Sequence, residues 1–530
     1  MNKPILTSFA ILCLLSILFL INYQTSAKAS STTWFVDDDG PADFNTIQEA
    51  VNNATSGDRI FVRVGIYYEH IVVNKSVSLV GEDRDSTIID GNETGRVISI
   101  TANNASIEGF TIKRSGTRSY DSGIFIDHCS GNNISHNMVT NNHDGISFYY
   151  SSNNIVSSNT ITNNHDGISF YYSSNNIVSS NTITNNYDGI SFYYSSNNIV
   201  SSNTITNNYD GISFYSSSNN IVSSNTITNN NHGMYLAFDS SNNTIYCNNF
   251  NNTYQVSTDS ANVWDHRNEG NYWSDYIGTD TDQDGIGDTP YEIAENNKDN
   301  YPLMGMFSDF PVSLEGEIYH VTTICNSTIS EFRFEIGPET GNKILCVNVT
   351  DEDSTVGFCR VRIPTELISS PYIVLVDAQE IVPPLLDVSN ETYAYLYFTY
   401  IHGSHIITII SSKTLLLYNE LLNKYTKLEI DLYNLNDLYQ ELLNNYTDFL
   451  GNYSILLTNY SELQKSHQEL NNSYQEFLFD YSKKVNNIQN LMYIFAATTA
   501  IFIITTIYLS KSAHASNAKV FEEARKKRTP

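Results

Sequence analysis

A block of 22 residues recurs almost unchanged in the middle of the chain. The repeated sequence is SSNNIVSSNTITNN(H/Y)DGISFYY, and every copy has a glycine at the same position. These glycines are Gly145, Gly167, Gly189 and Gly211, with Gly123 and Gly233 at the same spacing on either side. Apolar residues alternate within each copy, which is typical of β-strands. Short strands at a fixed period predict a solenoid in which each turn packs only against its neighbours.

Like residues should then form columns, because parallel strands lie about 4.8 Å apart. We expect two internal apolar columns: Ile155, Ile177, Ile199 and Ile221, and Phe148, Phe170, Phe192 and Phe214. We also expect the asparagines at the bends to hydrogen-bond up a ladder: Asn154, Asn176, Asn198 and Asn220. A helix-like segment at residues 46–51 is predicted to cover the N-terminal end, as solenoids require.

Two flanking segments carry a family resemblance. They are AVNNATSGDRIFVRVGIYYEHIVVNKSVSLVGED before the repeats and GNYWSDYIGTDTDQDGIGDTPYEIAENNKDNYPLM after them. Residues 31–304 resemble the right-handed parallel β-helix proteins of the pectin-lyase-like superfamily, and most of all the NosD-type β-helix of archaeal and bacterial surface proteins. The resemblance implies carbohydrate binding or processing, in a family that ranges from hydrolases and lyases to non-catalytic binders. A role in copper-enzyme maturation is not expected, because no Cys/His/Met cluster suits copper.

The whole chain is predicted to be mainly β, with helical and membrane segments at its end. The fold class is a right-handed parallel β-helix followed by a β-sandwich domain, then a long coiled coil and one transmembrane helix. The predicted boundaries are a signal peptide at 1–29, the β-helix with its 22-residue repeats and a C-terminal calcium-type loop at 30–304, the β-sandwich at 305–412, the coiled-coil stalk at 415–490, the transmembrane helix at 491–509 and a basic cytoplasmic tail at 510–530.

The two ends of the chain predict its location. Lys3, the apolar run Ile5–Ile21 and small residues before Ser30 are typical of a secretory signal, with an uncleaved anchor as the alternative. Leu491–Leu509 is uncharged, long enough to span a bilayer, and followed by a basic tail that the positive-inside rule places in the cytoplasm. We therefore expect a single-pass cell-surface protein with an extracellular N-terminal region. Many Asn-X-Ser/Thr sequons add the expectation of a glycoprotein.

A seven-residue period begins after Thr414. Large residues recur at this spacing, with leucine or phenylalanine three residues after most of them. About ten such heptads predict a coiled-coil stalk of roughly 110 Å and a homo-oligomer. The alternative is a helical hairpin that turns at Gly451, the only glycine of the segment.

The composition excludes one class of partner. The chain has 28 Lys+Arg against 57 Asp+Glu, a formal net charge of −29. Nucleic-acid binding needs a basic stripe, so nucleic acid is not an expected partner. The expected partners are glycans or envelope polymers, the membrane and further copies of the chain.

Four acids precede the repeat glycines and stand next to histidine or tyrosine. The acids are Asp144, Asp166, Asp188 and Asp210, and their neighbours are His143, His165, Tyr187 and Tyr209. We expect the acids to face outward in turns. A metal or glycan contact is the first alternative and catalysis the second, but near-identical copies at several levels do not build one active site. No catalytic residue is therefore assigned, and we favour a protein without enzymatic activity.

The tyrosine after each repeat phenylalanine should face outward. Tyr149, Tyr171, Tyr193 and Tyr215 then form an aromatic ladder, which we interpret as a carbohydrate-binding face. The alternative is that the ladder only stabilises neighbouring turns.

The sequence DTDQDGIGD is the sharpest local motif. Asp280, Asp282, Asp284 and Asp288 resemble the ligands of an EF-hand-like calcium loop, in which carboxylates and a glycine turn suit Ca²⁺. The motif departs from that pattern at its twelfth position, Tyr291, and a simple acidic turn is the alternative. We expect a structural calcium that locks the C-terminal end of the β-helix.

Five cysteines remain after the predicted signal, so at least one lacks a partner within the chain. Cys346 and Cys359 lie on what look like neighbouring strands, and we predict a disulfide between them.

The resulting functional hypothesis is a membrane-anchored surface protein that presents a non-catalytic β-helix for glycan or envelope-polymer binding or adhesion. One alternative is a polysaccharide lyase or hydrolase. A cluster of carboxylates or arginines in a groove outside the repeat core would favour it, for instance around Asp121, Asp127 and His128. The other is a purely structural envelope spacer.

Overall fold

The computed structural model describes residues 31–337, 341–352, 355–381, 385–411, 413–450, 464–493, 496–497 and 499–500. The predicted signal peptide, most of the predicted transmembrane helix and the basic tail lie outside the described residues. The chain divides into two compact units, Met1–Thr414 and Leu415–Pro530, and each is described by itself.

The first part of unit one is a parallel β-solenoid, as predicted. Each full turn contributes one strand to each of three sheets. Sheet I contains Thr33–Val36, Arg59–Val62, Ser78–Gly81, Ser106–Glu108, Asn133–Ser135, Ile155–Ser157, Ile177–Ser179, Ile199–Ser201, Ile221–Ser223 and Thr244–Tyr246. Sheet II contains Gly65–Tyr67, Thr87–Asp90, Thr111–Lys113, Met138–Thr140, Thr160–Thr162, Thr182–Thr184, Thr204–Thr206, Thr226–Thr228, Asn249–Asn251 and Tyr272–Trp273. Sheet III contains Ile71–Val73, Ile98–Ile100, Ser122–Asp127, Asp144–Tyr149, Asp166–Tyr171, Asp188–Tyr193, Asp210–Tyr215, His232–Ala237 and Tyr254–Thr258.

The predicted phenylalanine column is confirmed. Phe148, Phe170, Phe192 and Phe214 are fully buried and stack with ring centroids 4.6, 4.8 and 4.9 Å apart. Their strands pair in register, so each residue lies over its own copy in the next turn. The repeat glycine faces the same interior: a Cβ at Gly167 would lie 2.5 Å from the Gly189 carbonyl oxygen. Only glycine fits where the backbones approach so closely.

The predicted isoleucine column is wrong. Ile155, Ile177, Ile199 and Ile221 are 36–41% exposed on the outer side of sheet I, whereas Val156, Val178, Val200 and Val222 are fully buried. Successive strand residues face opposite sides, so a shift of one residue exchanges the two faces. With two adjacent β-branched residues in each copy, hydrophobicity alone did not decide which one faces inward.

Buried asparagines form the predicted ladder, and two further ladders run beside it. The backbone N–H of Asn181 donates to Asn203 Oδ1 in the next turn at 2.9 Å. Its side-chain Nδ2 donates to the same Oδ1 at 3.0 Å and to the Val156 carbonyl of the preceding turn at 2.9 Å. The same pattern repeats at Asn176 and Asn186. Each amide therefore ties three successive turns together.

Both ends of the solenoid are covered. The helix α1, Ile47–Asn53, begins after Thr46, whose Oγ1 accepts from the Glu49 N–H at 3.3 Å, and it buries Ile47, Ala50 and Val51. At the other end Trp273 stacks between Phe250 and Tyr291, with ring centroids 4.5 Å away on each side. A two-stranded sheet, Tyr291–Ala294 with Asn297–Asp299, follows this stack.

Residues 306–411 form two antiparallel sheets with one shared core. The four-stranded sheet runs in the order Met306–Leu314, Glu317–Cys325, Val356–Pro364, Tyr393–Ile401. The five-stranded sheet runs in the order Thr328–Ile336, Lys343–Thr350, Ser404–Ser411, Tyr372–Val376, Gln379–Ile381. This arrangement is the sandwich predicted from the alternating segments.

The predicted Cys346–Cys359 disulfide is not formed, because the two residues lie in different sheets. Leu345, Val347 and Val349 face the shared core, so Cys346 between them faces the other side of its sheet. Its cross-strand neighbours are Arg333 and Thr408.

The second unit is helical, as the heptads predict. A helix spans Lys413–Leu450 and another spans residues 464–493. Tyr425 stacks on Tyr481 with centroids 5.8 Å apart, and Tyr439 hydrogen-bonds to His467. These four heptad-seam residues pair the helices side by side and antiparallel, which is the hairpin alternative. The prediction of one extended stalk of roughly 110 Å is therefore wrong. The segment forms two helices, the first about 57 Å long.

The structure holds, within its described residues, no helix both long and apolar enough to cross a membrane. The predicted span at 491–509 is described only at its beginning.

The inward and outward positions of the repeat can be tested with one substitution at two sites. Ile183→Ala empties a fully buried position and should destabilise the solenoid by about 2–5 kcal/mol. Ile177→Ala removes a side chain that is 36% exposed and should cost about 1 kcal/mol. Urea unfolding followed by circular dichroism measures both. Equal losses would contradict the assigned faces.

Candidate functional site

The outer side of sheet III is the most regular surface of the solenoid, and we call it the tyrosine face. Each repeat strand reads Asp-Gly-Ile-Ser-Phe-Tyr, and its aspartate, serine and tyrosine face outward. Because the strands pair in register, each residue type forms one column along the solenoid axis.

The predicted sugar-binding tyrosines lie on this face. Tyr171, Tyr193 and Tyr215 stack with centroids 4.8 Å apart and planes nearly parallel. Tyr149 does not join them, since its ring lies instead against Phe125 and Tyr120. The stacked rings cover one another's flat sides, so a ligand meets their edges and hydroxyl groups.

A second tyrosine column on this face was missed from the sequence. Tyr150, Tyr172 and Tyr194 stack with centroids 4.8 and 5.0 Å apart and are 46–58% exposed. All three have positive φ angles of 46–53°, a conformation that costs a non-glycine residue free energy. The sequence signal for this column was the second tyrosine of each FYY, which lies at a bend after the strand.

A third column of rings flanks the strands on their N-terminal side. His143, His165, Tyr187 and Tyr209 stack with centroids 5.1, 5.1 and 4.9 Å apart. The tyrosine face therefore presents three parallel aromatic columns, each of which runs through three or four turns.

The repeat aspartates face outward, as predicted, but they are buried. They begin the strands of sheet III rather than sitting in exposed turns. Asp144 accepts hydrogen bonds from Ser147 Oγ at 2.6 Å and Ser169 Oγ at 3.1 Å, and His143 Nδ1 lies 2.8 Å away. The hydrogen bond to Asp144 raises the pKa of His143. The same pairing joins His165 to Asp166 and His232 to Asp210 at 2.8 Å.

Asp188 is the exception in this column, because the rings beside it are tyrosines both in its own turn, at Tyr187, and in the next turn, at Tyr209. Its Oδ2 accepts from Ser213 at 3.1 Å, while its Oδ1 has no hydrogen-bond partner among the described residues. Burial, together with the charges of Asp166 and Asp210, raises the pKa of Asp188 to about 7.

One irregular group lies at the N-terminal end of the tyrosine face. The Arg96 guanidinium is 3.3 Å from the Phe125 ring centroid, and its charge interacts with Asp121 and Asp127. His128 Nδ1 lies 2.6 Å from Asp127 Oδ1. The structure thus brings together the three residues singled out for the enzyme alternative and adds Arg96, whose pKa is lowered by burial.

The predicted calcium loop has a compact acidic centre. Carboxylate oxygens of Asp280, Asp282 and Asp284 lie within 4.8 Å of one another. Asp280 also accepts from the backbone N–H groups of Asp284 and Gly285, and burial raises its pKa and that of Asp284. The fourth predicted ligand, Asp288, instead accepts from the Thr281 N–H at 2.8 Å and closes the loop.

A second acidic group, Asp37, Asp38 and Asp39, was missed from the sequence, although the DDD run was its signal. Arg63 Nε lies 3.8 Å from Asp37 Oδ2, so this group already has a cationic neighbour.

The sheets and columns define a parallel β-solenoid with repeated surface residues. Residues 51–278 match the family model described as periplasmic copper-binding protein (NosD). The resemblance to the NosD-type β-helix is therefore confirmed for these residues. Within the described parts of the chain, the two groups close enough to share an ion are all aspartate, whereas copper sites favour histidine, cysteine and methionine.

Three curated proteins share shorter stretches. A cell surface glycoprotein of Methanothermus fervidus is 37% identical over 101 residues, 18% of this chain and 16% of its own length. A probable pectinesterase/pectinesterase inhibitor 6 of Arabidopsis thaliana is 37% identical over 78 residues, 13% of this chain and 14% of its own. A probable ABC transporter binding protein NosD of Pseudomonas aeruginosa is 41% identical over 66 residues, 12% of this chain and 15% of its own. The chain thus spans about a sixth or less of these relatives.

Solved structures give a broader but weaker likeness. The pectate lyase Pel9A matches with a TM-score of 0.34 and 14% identity, over 50% of this chain and 87% of its own. The Dettilon tailspike protein matches with a TM-score of 0.36 and 14% identity, over 73% of this chain and 93% of its own. The fold assignment therefore depends on the sheet topology itself.

The buried acid column predicts a pH-dependent stability. Asp188 has an ordinary pKa of 3.8 and a folded pKa of about 7. Because the folded state binds this proton more tightly, its contribution is complete below the ordinary pKa and is lost as the pH rises through 7. The raised pKa of His165 acts in the same direction. The melting temperature should therefore fall between about pH 4 and pH 8.

Asp188→Asn should raise the melting temperature at about pH 8 and flatten this pH dependence. Asp144→Asn is the matched control, because Asp144 accepts two serine hydrogen bonds and pairs with His143, so its charge is satisfied. That variant should lose stability. A pH profile of Asp188→Asn identical to that of the parent would contradict the assignment.

Proposed function

We propose that the protein is a cell-surface binder of neutral glycans or envelope polymers, and that the tyrosine face holds the polymer without cleaving it. The observation that carries the proposal is the repetition of three aromatic columns at one spacing along the solenoid axis. A polymer lying along that axis meets aromatic groups at a regular spacing over several successive turns.

The stacked rings determine how a sugar would bind. Their flat sides cover one another, so stacking of a sugar on a ring face is possible only at the ends of a column. The edges and phenol hydroxyls of Tyr172 and Tyr194 remain available, since these residues are 46% and 58% exposed. Each hydroxyl both donates and accepts hydrogen bonds. Repeated weak contacts on one polymer add up to useful affinity.

The charge of the chain favours a neutral polymer. The whole chain carries a formal charge of −29. An anionic polymer would be repelled by this potential.

Burial of the aspartates argues against catalysis at the repeats. A general acid must come within hydrogen-bond reach of its substrate, whereas Asp144, Asp166, Asp188 and Asp210 are buried. The serines and histidines of the same strands already occupy most of their oxygens.

The exposed hydroxyls can be removed without removing the rings. The double variant Tyr172→Phe/Tyr194→Phe should weaken binding of a neutral oligosaccharide about 5- to 100-fold, from two lost hydrogen bonds. A glycan array with the full-length protein identifies the oligosaccharide, and calorimetry measures its affinity. Tyr68→Phe, at a tyrosine 65% exposed elsewhere on the solenoid, is the matched control and should bind normally. Undiminished binding by the double variant would show that the tyrosine face is not the binding surface.

A polysaccharide lyase or hydrolase is the second candidate. The group formed by Arg96, Asp121 and Asp127 favours it, because this group occurs once and is not a repeat. Incubation with polysaccharides and measurement of new chain ends separates the two functions. We expect no new chain ends, whereas product formation that is lost in Asp127→Ala would establish the enzyme. Absence of both binding and cleavage would leave the structural spacer.

The placement of the protein at the cell surface is part of the proposal. It is supported by the predicted signal and membrane span and by the similarity to a cell surface glycoprotein. Self-association through the helical unit is supported by its exposed leucines: Leu428, Leu435 and Leu442 are 52–68% exposed. Apolar side chains at this spacing favour contact with a second copy.

We further propose that the aspartate loop binds a structural calcium ion. Three carboxylates would supply part of the oxygen shell that Ca²⁺ requires, with backbone carbonyls and water completing it. The loop packs against the sandwich, since Gly285 lies next to Arg360 and Phe358. Calcium would thus fasten the C-terminal end of the solenoid.

Addition of about 1 mM calcium, a concentration typical of extracellular modules, should raise the melting temperature by several degrees. Asp282→Asn should abolish this gain because it removes one ligand charge. Asp85→Asn, an exposed aspartate remote in sequence, is the control and should retain it. The same calcium response in both variants would leave the loop as an acidic turn.

A further inference from the structure

Two cysteines face each other across the four-stranded sheet. Cys325 ends the strand Glu317–Cys325, and Cys359 is its register partner in the antiparallel strand Val356–Pro364. Both side chains are 1% exposed and belong to the shared core of the sandwich. Directly opposed antiparallel residues have Cβ atoms about 4.5–5.5 Å apart, close to the spacing of a disulfide. Little backbone movement is needed to join them.

The chemistry of the pair is asymmetric. The Cys359 thiol hydrogen-bonds to Cys325 and lowers the pKa of Cys325, while the same contact raises the pKa of Cys359. Tyr400 Oη lies 3.4 Å from Cys325 Sγ and donates to Ser327 Oγ. The two sulfurs therefore interact directly within the core of the sandwich.

The other described cysteines have different neighbours. Cys129 lies in the solenoid and donates to the Ile100 carbonyl, and Cys346 lies 3.9 Å from Thr408 Oγ1. Cys247 lies next to Glu269. Cys325 and Cys359 are thus the one cysteine pair that the described strands bring together.

We propose that Cys325 and Cys359 form an intrachain disulfide when the chain meets a disulfide oxidant outside the cytoplasm. During folding, before the sandwich closes over the pair, the Cys325 thiol loses its proton and the resulting thiolate attacks one sulfur of the oxidant disulfide, which expels the other as a thiolate. Cys359 then loses its proton and attacks Cys325 Sγ, which expels the second oxidant sulfur. Two S–H bonds are lost, one S–S bond forms, and the oxidant disulfide is reduced to two thiols.

The bond would secure the region where the sandwich meets the solenoid. Cys325 is also the register partner of Met306, at the start of the first sandwich strand. The next residue, Phe307, exchanges two hydrogen bonds with Asn249 in the last turns of the solenoid, at 2.7 and 2.8 Å. The disulfide would thus fix the central strand pair beside this junction.

Mass spectrometry of the full-length protein tests the proposal directly. The protein is refolded in a reduced/oxidised glutathione buffer, alkylated with iodoacetamide under denaturing conditions and digested. We expect a linked peptide pair containing residues 325 and 359, with Cys346 alkylated. Reduction should remove the link and lower the melting temperature by several degrees, because a closed loop restricts the unfolded chain.

Two variants complete the test. Cys359→Ser should leave Cys325 open to alkylation, and Cys346→Ser should retain the link and the oxidised melting temperature. The wild-type peptide map remains decisive if Cys359→Ser fails to fold. Complete alkylation of both residues in the wild type, or a link from either of them to Cys346, would overturn the proposal.

Discussion

The buried asparagine ladders are the constraint on which the solenoid depends. A side-chain amide in the interior must make its hydrogen bonds, because an unsatisfied buried polar group costs about 1–3 kcal/mol. Asn181 meets this demand only if the turns before and after it lie at the right spacing and in register. Three such columns therefore fix the height of each turn and prevent one turn from sliding over the next.

This register carries over to the surface. Because the asparagines repeat at 22 residues, every residue between them is also placed over its copy. The phenylalanines stack inside and the tyrosines stack outside. Burial of the aspartate column, together with the nearness of its charges, raises the pKa of Asp188. The proposed binding face thus follows from the same repeat that builds the core.

Much of this could be predicted from the sequence, because the period is visible in the residues. The solenoid, the phenylalanine column, the covering helix and the outward aspartates all follow from spacing. The side of the sheet that each residue faces was harder to predict. Ile177 and Val178 are both apolar, and only the register of the ladder decides that the valine is buried. The burial of Asp188 also depends on neighbouring turns, which no single copy of the repeat contains. Cys325 was missed because its partner is set by the strand order of the sandwich rather than by nearness in sequence.

Stacking of like residues at a period of 22 holds the solenoid together, and two deletions test this directly. Deleting residues 177–198 removes one whole repeat and joins Asn176 to Ile199, so every column stays continuous. Deleting residues 177–187 removes half a repeat and breaks every column above the cut. Thermal unfolding followed by circular dichroism compares the two variants. We expect the first variant to unfold cooperatively within a few degrees of the parent and the second to lose the cooperative transition. Equal behaviour of the two deletions would contradict it.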